Sequence, residues 1–270
     1  MKKKGVVAIF LVMVVLLLSS CFSFFGGGSD PFGFQKSVSD RASAEVASAT
    51  GLTGMTRKMM FSVVYTQVFF IGGFGANFYE LEETQGSIWR IESRDEDGNI
   101  NAVEAERALL KRLPNGDQWW YLAWRAEGEA IEFEALMSKD QYAKKIRYYN
   151  ADVKRVEEAV FDEPDTSNKD SETAPPPEPA VNEMDVKELS RLVKGKETIK
   201  IGSGTYNTER LEWSIVNEED KATYTYTWWV DTKTAGGLVK YLWTRSGSKE
   251  SLSGELFSLK KGYKTKFNSF

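Results

Sequence analysis

From Thr84 to the end of the chain, apolar and polar residues alternate with a period of two in segments bounded by glycine, asparagine and aspartate. The clearest segment is 131–137, where every odd position is apolar and Glu132 and Glu134 lie between them. Because the side chains of a β-strand point alternately to the two faces of its sheet, this period indicates strands with one apolar face. The pattern therefore predicts a mainly β protein.

The spacing of these segments predicts an antiparallel meander that forms an open or partly closed barrel or a curved sheet of about 11 strands. Residues 57–71 are a dense apolar run that fits a buried strand and a buried helix equally well, and we count them as the first strand. Residues 100–113 contain good helix formers, but the turn sequence at 114–117 favours a strand ending in a hairpin. The predicted strands are 57–71, 87–94, 100–113, 118–126, 131–137, 146–150, 197–201, 206–216, 222–230, 238–244 and 252–259.

The predicted strands fall into two halves separated by a linker. Residues 161–183 contain a cluster of prolines and acids and almost no apolar residues, so they cannot bury enough surface to offset their ordering entropy. A weak amphipathic helix is predicted within 35–50, and one or two helical turns within 184–193. The predicted organisation is a signal peptide at 1–20, a lipidated tether with the weak helix at 21–56, β halves at 57–160 and 184–270, and the linker at 161–183. The sequence leaves open whether the two halves share one sheet.

The amino terminus has the pattern of an export signal. Three lysines precede the apolar segment 5–18, and Ser19 and Ser20 lead to Cys21, the only cysteine in the chain. The apolar segment is shorter than the roughly 20 residues that a transmembrane helix needs. An ordinary secretory signal, in which Cys21 has no special role, is the alternative.

Residues 18–21 resemble the lipobox of bacterial lipoproteins. The resemblance implies cleavage before Cys21, a thioether-linked diacylglycerol on its sulfur and an acylated amino group. Two or more acyl chains hold a protein stably on a membrane, so the mature protein is expected to be membrane-anchored, with palmitate or similar chains. Phe22, rather than aspartate, follows the cysteine, which implies the outer membrane.

Composition argues against several classes of function. The chain has no histidine, 35 basic and 39 acidic residues, and no basic cluster after the signal. Nucleic acid is therefore an unexpected partner, and the commonest general base and zinc ligand are absent. We expect no enzymatic activity, no metal and no cofactor.

Two acidic patterns have alternative interpretations. Asp95, Asp97, Asn99 and Glu106 match part of a calcium-loop spacing, but Ile100 stands where that loop needs glycine, which favours a polar hairpin tip. The glutamates of segment 131–137 could be a glycosidase pair, but such pairs normally converge from different strands. A solvated strand face is the favoured interpretation for these glutamates.

The tryptophans are the candidate ligand-binding residues. Neighbours on a strand must point to opposite faces, so large aromatic side chains are expected on both faces of at least two strands. This arrangement favours an apolar binding surface, while coverage of the second face by helices or loops is the alternative. The candidates are Trp119, Trp120, Trp124, Trp228 and Trp229.

A lipidated chain with about eleven antiparallel strands and aromatic-rich faces resembles the lipoprotein carriers and receptors of the Lol pathway. The resemblance covers architecture only, so no functional residue carries over from it; it implies an unclosed barrel that cups acyl chains. Segments 204–208, 229–230 and 236–240 also look like a pattern in envelope lipoproteins, with no activity implied.

The expected function is that of a lipid-anchored envelope protein that binds a lipid, a lipoprotein acyl chain or another envelope component without enzymatic chemistry. Its expected partners are the membrane, through the amino-terminal lipid, and an apolar ligand or envelope proteins. The alternatives are a structural or assembly lipoprotein acting through its sheet edges, and a carbohydrate binder with exposed tryptophans.

Overall fold

The computed structural model describes residues 49–50, 60–61, 64–69, 71–73, 81–126, 129–139, 141–151, 153–161, 191–217 and 220–270. Within these ranges the protein is almost entirely β-structure. The strands are β1 (Ala49–Thr50), β2 (Gln85–Arg94), β3 (Ile100–Arg112), β4 (Gln118–Ala126), β5 (Glu129–Met137), β6 (Ala143–Asn150), β7 (Arg155–Phe161), β8 (Val193–Ile201), β9 (Gly204–Val216), β10 (Thr223–Val230), β11 (Leu238–Arg245) and β12 (Ser251–Lys260).

All twelve strands belong to one open antiparallel sheet, in the order β1-β7-β6-β5-β4-β3-β2-β12-β11-β10-β9-β8. Neighbours in sequence are neighbours in the sheet except at the ends and at the centre, where β2 pairs with β12. That pairing runs from Arg94 opposite Ser251 to Gly86 opposite Lys260. The two predicted halves therefore form one sheet, and the predicted fold class is confirmed.

The prediction of a strand at 57–71 is wrong. Tyr65–Phe69 form a π-helical turn and Ile71–Gly73 a 3-10 turn, and the described residues before them, 60–61 and 64, are helical. We call the described residues of 60–73 the core segment. Phe61, Val64 and Val68, at helical spacing, are fully buried, but further apolar residues such as Val63 and Phe70 lie off that spacing and weaken the period in the sequence. No helix within the described ranges is long and apolar enough to cross a membrane.

The core segment shows that the sheet is strongly curved. It contacts Phe161 on β7 through Phe61, and Trp228 on β10 through the carbonyl of Gly72. These strands are eight positions apart in the sheet, which would be roughly 38 Å in a flat one. Residues 61–72 span only about 17 Å as a helix, so the sheet must wrap around them. We call the enclosed face the inner face and the opposite one the outer face.

Other boundaries differ from the predictions. Strand β7 was not predicted, and Phe161 ends it as a buried residue instead of opening the linker. Residues 191–192 are helical, but Val193 already begins β8, so Lys194 and Gly195 lie at a bulge in a strand and do not end a helix. Ala49–Thr50 form β1, not the end of a helix. The signal, the tether, the rest of the weak helix, and residues 162–183 and 184–190 lie outside the described residues.

The outer face of β3 to β5 is covered by residues 261–270, which we call the C-terminal tail. Beneath it lies a small second core that contains Leu110, Trp119 and Tyr121. The ring centroid of Tyr263 lies 6.2 Å from that of Tyr121, and Phe270 lies 6.4 Å from Trp119. A loop-like segment therefore covers the second apolar face.

Glu134 on β5 fixes the C-terminal tail and corrects the prediction of a solvated glutamate face. Its side chain is completely buried. Oε2 accepts hydrogen bonds from the hydroxyls of Thr265, at 2.7 Å, and Ser269, and Oε1 accepts from the backbone N–H groups of Lys266 and Phe267. A buried carboxylate is stable here because four donors replace its water. The alternation along β5 correctly places Glu134 on the outer face of the sheet. It gives no sign that a segment distant in the sequence covers that face.

Candidate functional site

The tryptophan pairs divide between the two faces of the sheet as expected. Trp120, Trp124 and Trp228 belong to the main core on the inner face, whereas Trp119 lies in the second core on the outer face. Trp229 is partly exposed. Its indole N–H donates a hydrogen bond to Glu197, and the ammonium group of Lys240 lies 5.5 Å from the centroid of its ring in a cation–π contact. The structure therefore brings together three of the five candidates and separates the other two.

The inner face is a concave surface rich in aromatic side chains, and the core segment occupies it. Phe69 packs edge-on against Trp120, with ring centroids 5.3 Å apart. Phe61 contacts Phe133 on β5 at 6.0 Å and Phe161 on β7 at 4.9 Å. The concavity thus holds a short helical segment with a large apolar surface, in place of side chains from a second sheet.

Hydrogen bonds between described residues tie the core segment to the surrounding sheet and its turns. The hydroxyl of Tyr65 donates to the carbonyl of Gln141 at 2.8 Å. Arg107 Nη1 donates to the carbonyl of Phe69 at 2.6 Å, and the indole N–H of Trp228 donates to the carbonyl of Gly72 at 2.7 Å. Each bond joins a side chain to a main-chain carbonyl, so the segment is held at a few points against an otherwise apolar surface.

The last of these bonds depends on the conformation of Gly72. Its φ of 64° lies in the left-handed region that glycine tolerates. A Cβ at this position would also lie 2.7 Å from Cδ1 of Tyr241 on β11. Glycine therefore lets the core segment turn close to β11 and offer its carbonyl to Trp228.

Arg107 is an unusual residue for the inner face. It lies on β3 opposite Ser87 and Leu122, and its side chain is 3% exposed. Burial lowers the pKa of its guanidinium to about 10, which still leaves it charged at neutral pH. The sequence analysis did not select Arg107 as a candidate. The alternation along β3 places it on the same face as Ala105 and Leu109, and a charged residue on an apolar face was the signal that could have identified it.

The aromatic lining continues beyond the core segment onto the strands of the second half. Trp213 on β9 stacks on Tyr226 at 5.1 Å, and Tyr226 stacks on Trp228 at 5.9 Å. Trp228 is buried, whereas Trp213 and Tyr226 are partly exposed. This row of three rings therefore connects the buried inner face to solvent.

The acidic patterns show no catalytic arrangement among the described residues. Asp95 accepts hydrogen bonds from the backbone and side-chain amides of Asn99, as a polar hairpin tip does, and no described group of acids is arranged to hold a metal ion. Burial opposes the ionisation of Glu132. Hydrogen bonds from Lys266 and Tyr121, together with the positive charges of Lys266 and Arg125, outweigh the effect of burial and lower the pKa of its carboxyl. Glu132 thus serves the network that holds the C-terminal tail.

No protein-family model matches the sequence, and a search of curated proteins gave no match. Solved structures with partial similarity include a Bacteroides fragilis protein with a YmcC-like fold, at a TM-score of 0.36 and 10% identity over 68% of this chain and 99% of that chain. They also include the MucA/MucB complex of Pseudomonas aeruginosa, at a TM-score of 0.33 and 13% identity over 67% of this chain and 54% of that chain. A LolA superfamily protein from Nitrosomonas europaea has a TM-score of 0.31 and 9% identity over 70% and 91%. Similarities at this level assign the chain neither to a family nor to a function.

Proposed function

We propose that the protein is a non-enzymatic, lipid-anchored envelope protein that binds an acyl chain on the inner face of its curved sheet. The observation that carries this proposal is that the sheet forms the concavity, whereas a different segment of the chain occupies it. The aromatic lining belongs to the sheet, whereas the core segment that fills it is a short helical piece, whose described hydrogen bonds with the rest of the protein include those that involve Tyr65, Arg107 and Trp228. An acyl chain that displaces the core segment finds an apolar surface already formed.

The length of the buried acyl chain sets an upper limit on its affinity. Burying one methylene group contributes about 0.8 kcal/mol. About ten buried methylenes therefore contribute about 8 kcal/mol, which corresponds to micromolar binding before the costs of displacing the core segment and ordering the acyl chain are subtracted. The part-exposed rings of Trp213 and Tyr226 offer the route by which a chain reaches Trp228.

The proposed location follows from the amino terminus. Cys21 carries the lipid in this proposal, and Phe22 in place of aspartate after it supports the outer membrane under enterobacteria-like sorting. A protein fixed to one membrane can present its concavity to acyl chains of that membrane or of another lipoprotein. The absence of histidine supports a binding role rather than hydrolysis.

A redox lock of the core segment tests the proposal. In a Cys21→Ala background, Phe61→Cys with Phe161→Cys replaces two packed rings, whose centroids lie 4.9 Å apart, by thiols. A gel-mobility change reports whether the disulfide has formed. The ligand is parinarate, a fluorescent fatty acid that accepts energy from tryptophan. We expect the oxidised variant to lose parinarate binding and to regain it after reduction.

The matched control is a disulfide that leaves the core segment free. Ser214→Cys with Thr225→Cys joins β9 to β10, where the two hydroxyl oxygens are 3.0 Å apart. Its oxidation should not affect binding. Equal parinarate binding by the locked and unlocked Phe61/Phe161 pair would place any ligand elsewhere and refute the proposal.

A second candidate, an assembly role, is favoured by the edge at β7. Within the described residues, only Ala49 and Thr50 pair with this strand on its free side, opposite Phe161 and Val160. Val160 and Val156 are 47% and 36% exposed, and an added strand of a partner protein would cover them. Crosslinking in whole cells through a photoreactive residue at 156 tests this role, because a contact there gives a discrete adduct. The carbohydrate-binding alternative has less support, because six of the eight tryptophans are buried and the other two, Trp213 and Trp229, are only partly exposed.

A further inference from the structure

The inner face contains a positive charge that no described carboxylate neutralises. Arg107 is buried, and among the described residues no carboxylate forms an ion pair with it; burial alone accounts for its altered pKa. Its neighbour Glu106 faces the other side of the sheet, where it accepts a hydrogen bond from Tyr263 at 2.5 Å. A guanidinium in an apolar core is unfavourable unless it is paired.

The hydrogen-bond donors of Arg107 are also incompletely used. Among the described residues its one acceptor is the carbonyl of Phe69, and its Nε has no partner. Nη2 lies beneath the turn between β10 and β11, where a Cβ added to Gly236 would be 3.7 Å away. A guanidinium has five N–H donors, so a single carbonyl leaves most of its capacity free.

A second buried polar side chain lies next to the core segment. Gln141 is 3% exposed, neither its amide oxygen nor its amide nitrogen has a hydrogen-bond partner, and its own carbonyl holds Tyr65. Its φ of 68° is strained for a residue other than glycine. Tyr65 and Phe69 are about one helical turn apart. Unused polar groups therefore flank the core segment at both of these positions.

On the basis of the proposed function, we infer that the inner face is built for an anionic amphiphile, an acyl chain ending in a carboxylate or phosphate whose oxygens bind Arg107. When the core segment leaves, Arg107 loses the carbonyl of Phe69. A purely apolar ligand would leave it without any acceptor, whereas an anionic head group replaces the lost carbonyl and adds the missing negative charge. Arg107 thus selects among ligands that the aromatic lining alone would bind equally.

Three ligands with the same chain and different head groups test this inference. Dodecanoate and dodecyl phosphate are titrated below their micelle concentrations, and 1-dodecanol below its solubility limit, into the full chain carrying Cys21→Ala. Binding is followed by tryptophan emission. The charge-assisted hydrogen bonds predict that at least one anion binds tenfold to hundredfold more tightly than the alcohol. The better of the two anions identifies the head group as carboxylate or phosphate.

Arg107→Met should remove this preference and leave alcohol binding unchanged or stronger. Arg107→Lys, which keeps the charge without the fork of donors, should retain part of the preference, and it keeps the test valid if the methionine variant does not fold. The control is Arg90→Met on β2, because Arg90 is exposed and lies 4.8 Å from the ring of Phe257 on the outer face. Two results overturn this inference alone. One is equal binding of the alcohol and the anions by the protein that keeps Arg107, and the other is an unchanged preference for the anions after Arg107 is replaced. Binding of none of the three overturns the proposed function as well.

Discussion

Replacing Glu134 by glutamine should release the C-terminal tail from the sheet without unfolding the sheet. The carboxylate accepts four hydrogen bonds from Thr265, Lys266, Phe267 and Ser269. Glutamine keeps one oxygen for the two backbone N–H groups, and the two hydroxyls can turn to accept from its NH₂ group. What is lost is the negative charge, which makes each hydrogen bond roughly twice as strong.

The expected magnitude follows from those four bonds. A hydrogen bond to a charged group contributes about 1.5–3 kcal/mol and a neutral one about 0.5–1.5 kcal/mol. The bonds share one carboxylate and are not additive, so we expect a loss of about 2–3 kcal/mol in tail docking rather than the full sum. That loss raises the undocked population roughly 30- to 150-fold.

Amide hydrogen exchange measures this change directly. The amides of Lys266 and Phe267 should lose protection by that factor, whereas the amide of Leu122, in the middle of β4, should keep its protection. The matched control is Glu132→Gln on the same strand and face. Glu132 is 21% exposed and pairs with Lys266, so its substitution should cost less than about 1 kcal/mol.

Two results would refute this reasoning. One is a change of less than about threefold in the protection of Phe267 in the Glu134→Gln variant. The other is an equal effect of Glu132→Gln, which would mean that surface charge, and not the buried carboxylate, holds the C-terminal tail.

Three further predictions concern other parts of the chain. Cys21→Ala should abolish lipid labelling and release the protein into the soluble envelope fraction, and persistence on membranes after a high-salt wash would contradict the anchor. Limited proteolysis should cut first within 161–183, and the fragments should stay together on a sizing column because β2 and β12 pair along their length. The pKa of Glu132 is lower in the folded protein than in the unfolded chain, so its stabilisation is complete above the unfolded pKa and is lost as the pH falls through the folded one. The protection factor of the Lys266 amide, the ratio of its intrinsic to its observed exchange rate, should therefore fall below about pH 4 but stay constant between about pH 6 and 8.

The strands were predictable because their local pattern is determined by the sheet. In β5 and β10 one face meets the core, so the alternation of Ile131 with Glu132 and of Tyr226 with Thr227 shows in the sequence. In the core segment Phe61, Val64 and Val68 are buried at helical spacing. Further apolar residues such as Val63 and Phe70 lie off that spacing and weaken the period that would distinguish helix from strand.

Contacts between distant segments were not predictable from local pattern. Nothing near Glu134 indicates that Thr265 and Ser269 cover it, and nothing near Phe69 indicates that Arg107 binds its carbonyl. The division of the tryptophans between two faces followed from strand geometry alone. Which face holds a helical segment and which is covered by the chain terminus depends on tertiary packing, which a single sequence does not reveal.

The pairing of β2 with β12 at the centre of the sheet has a consequence for how the chain folds. Its paired residues are roughly 160–170 positions apart, which makes this the most non-local pairing in the sheet. During synthesis, β2 to β7 emerge first and can form their hairpins early, but β2 keeps an unpaired edge until the last strand is complete. Until then the inner face cannot enclose the core segment. The nascent protein therefore passes through a stage with an open strand edge and exposed aromatic side chains, when a chaperone or the membrane surface would have most to protect.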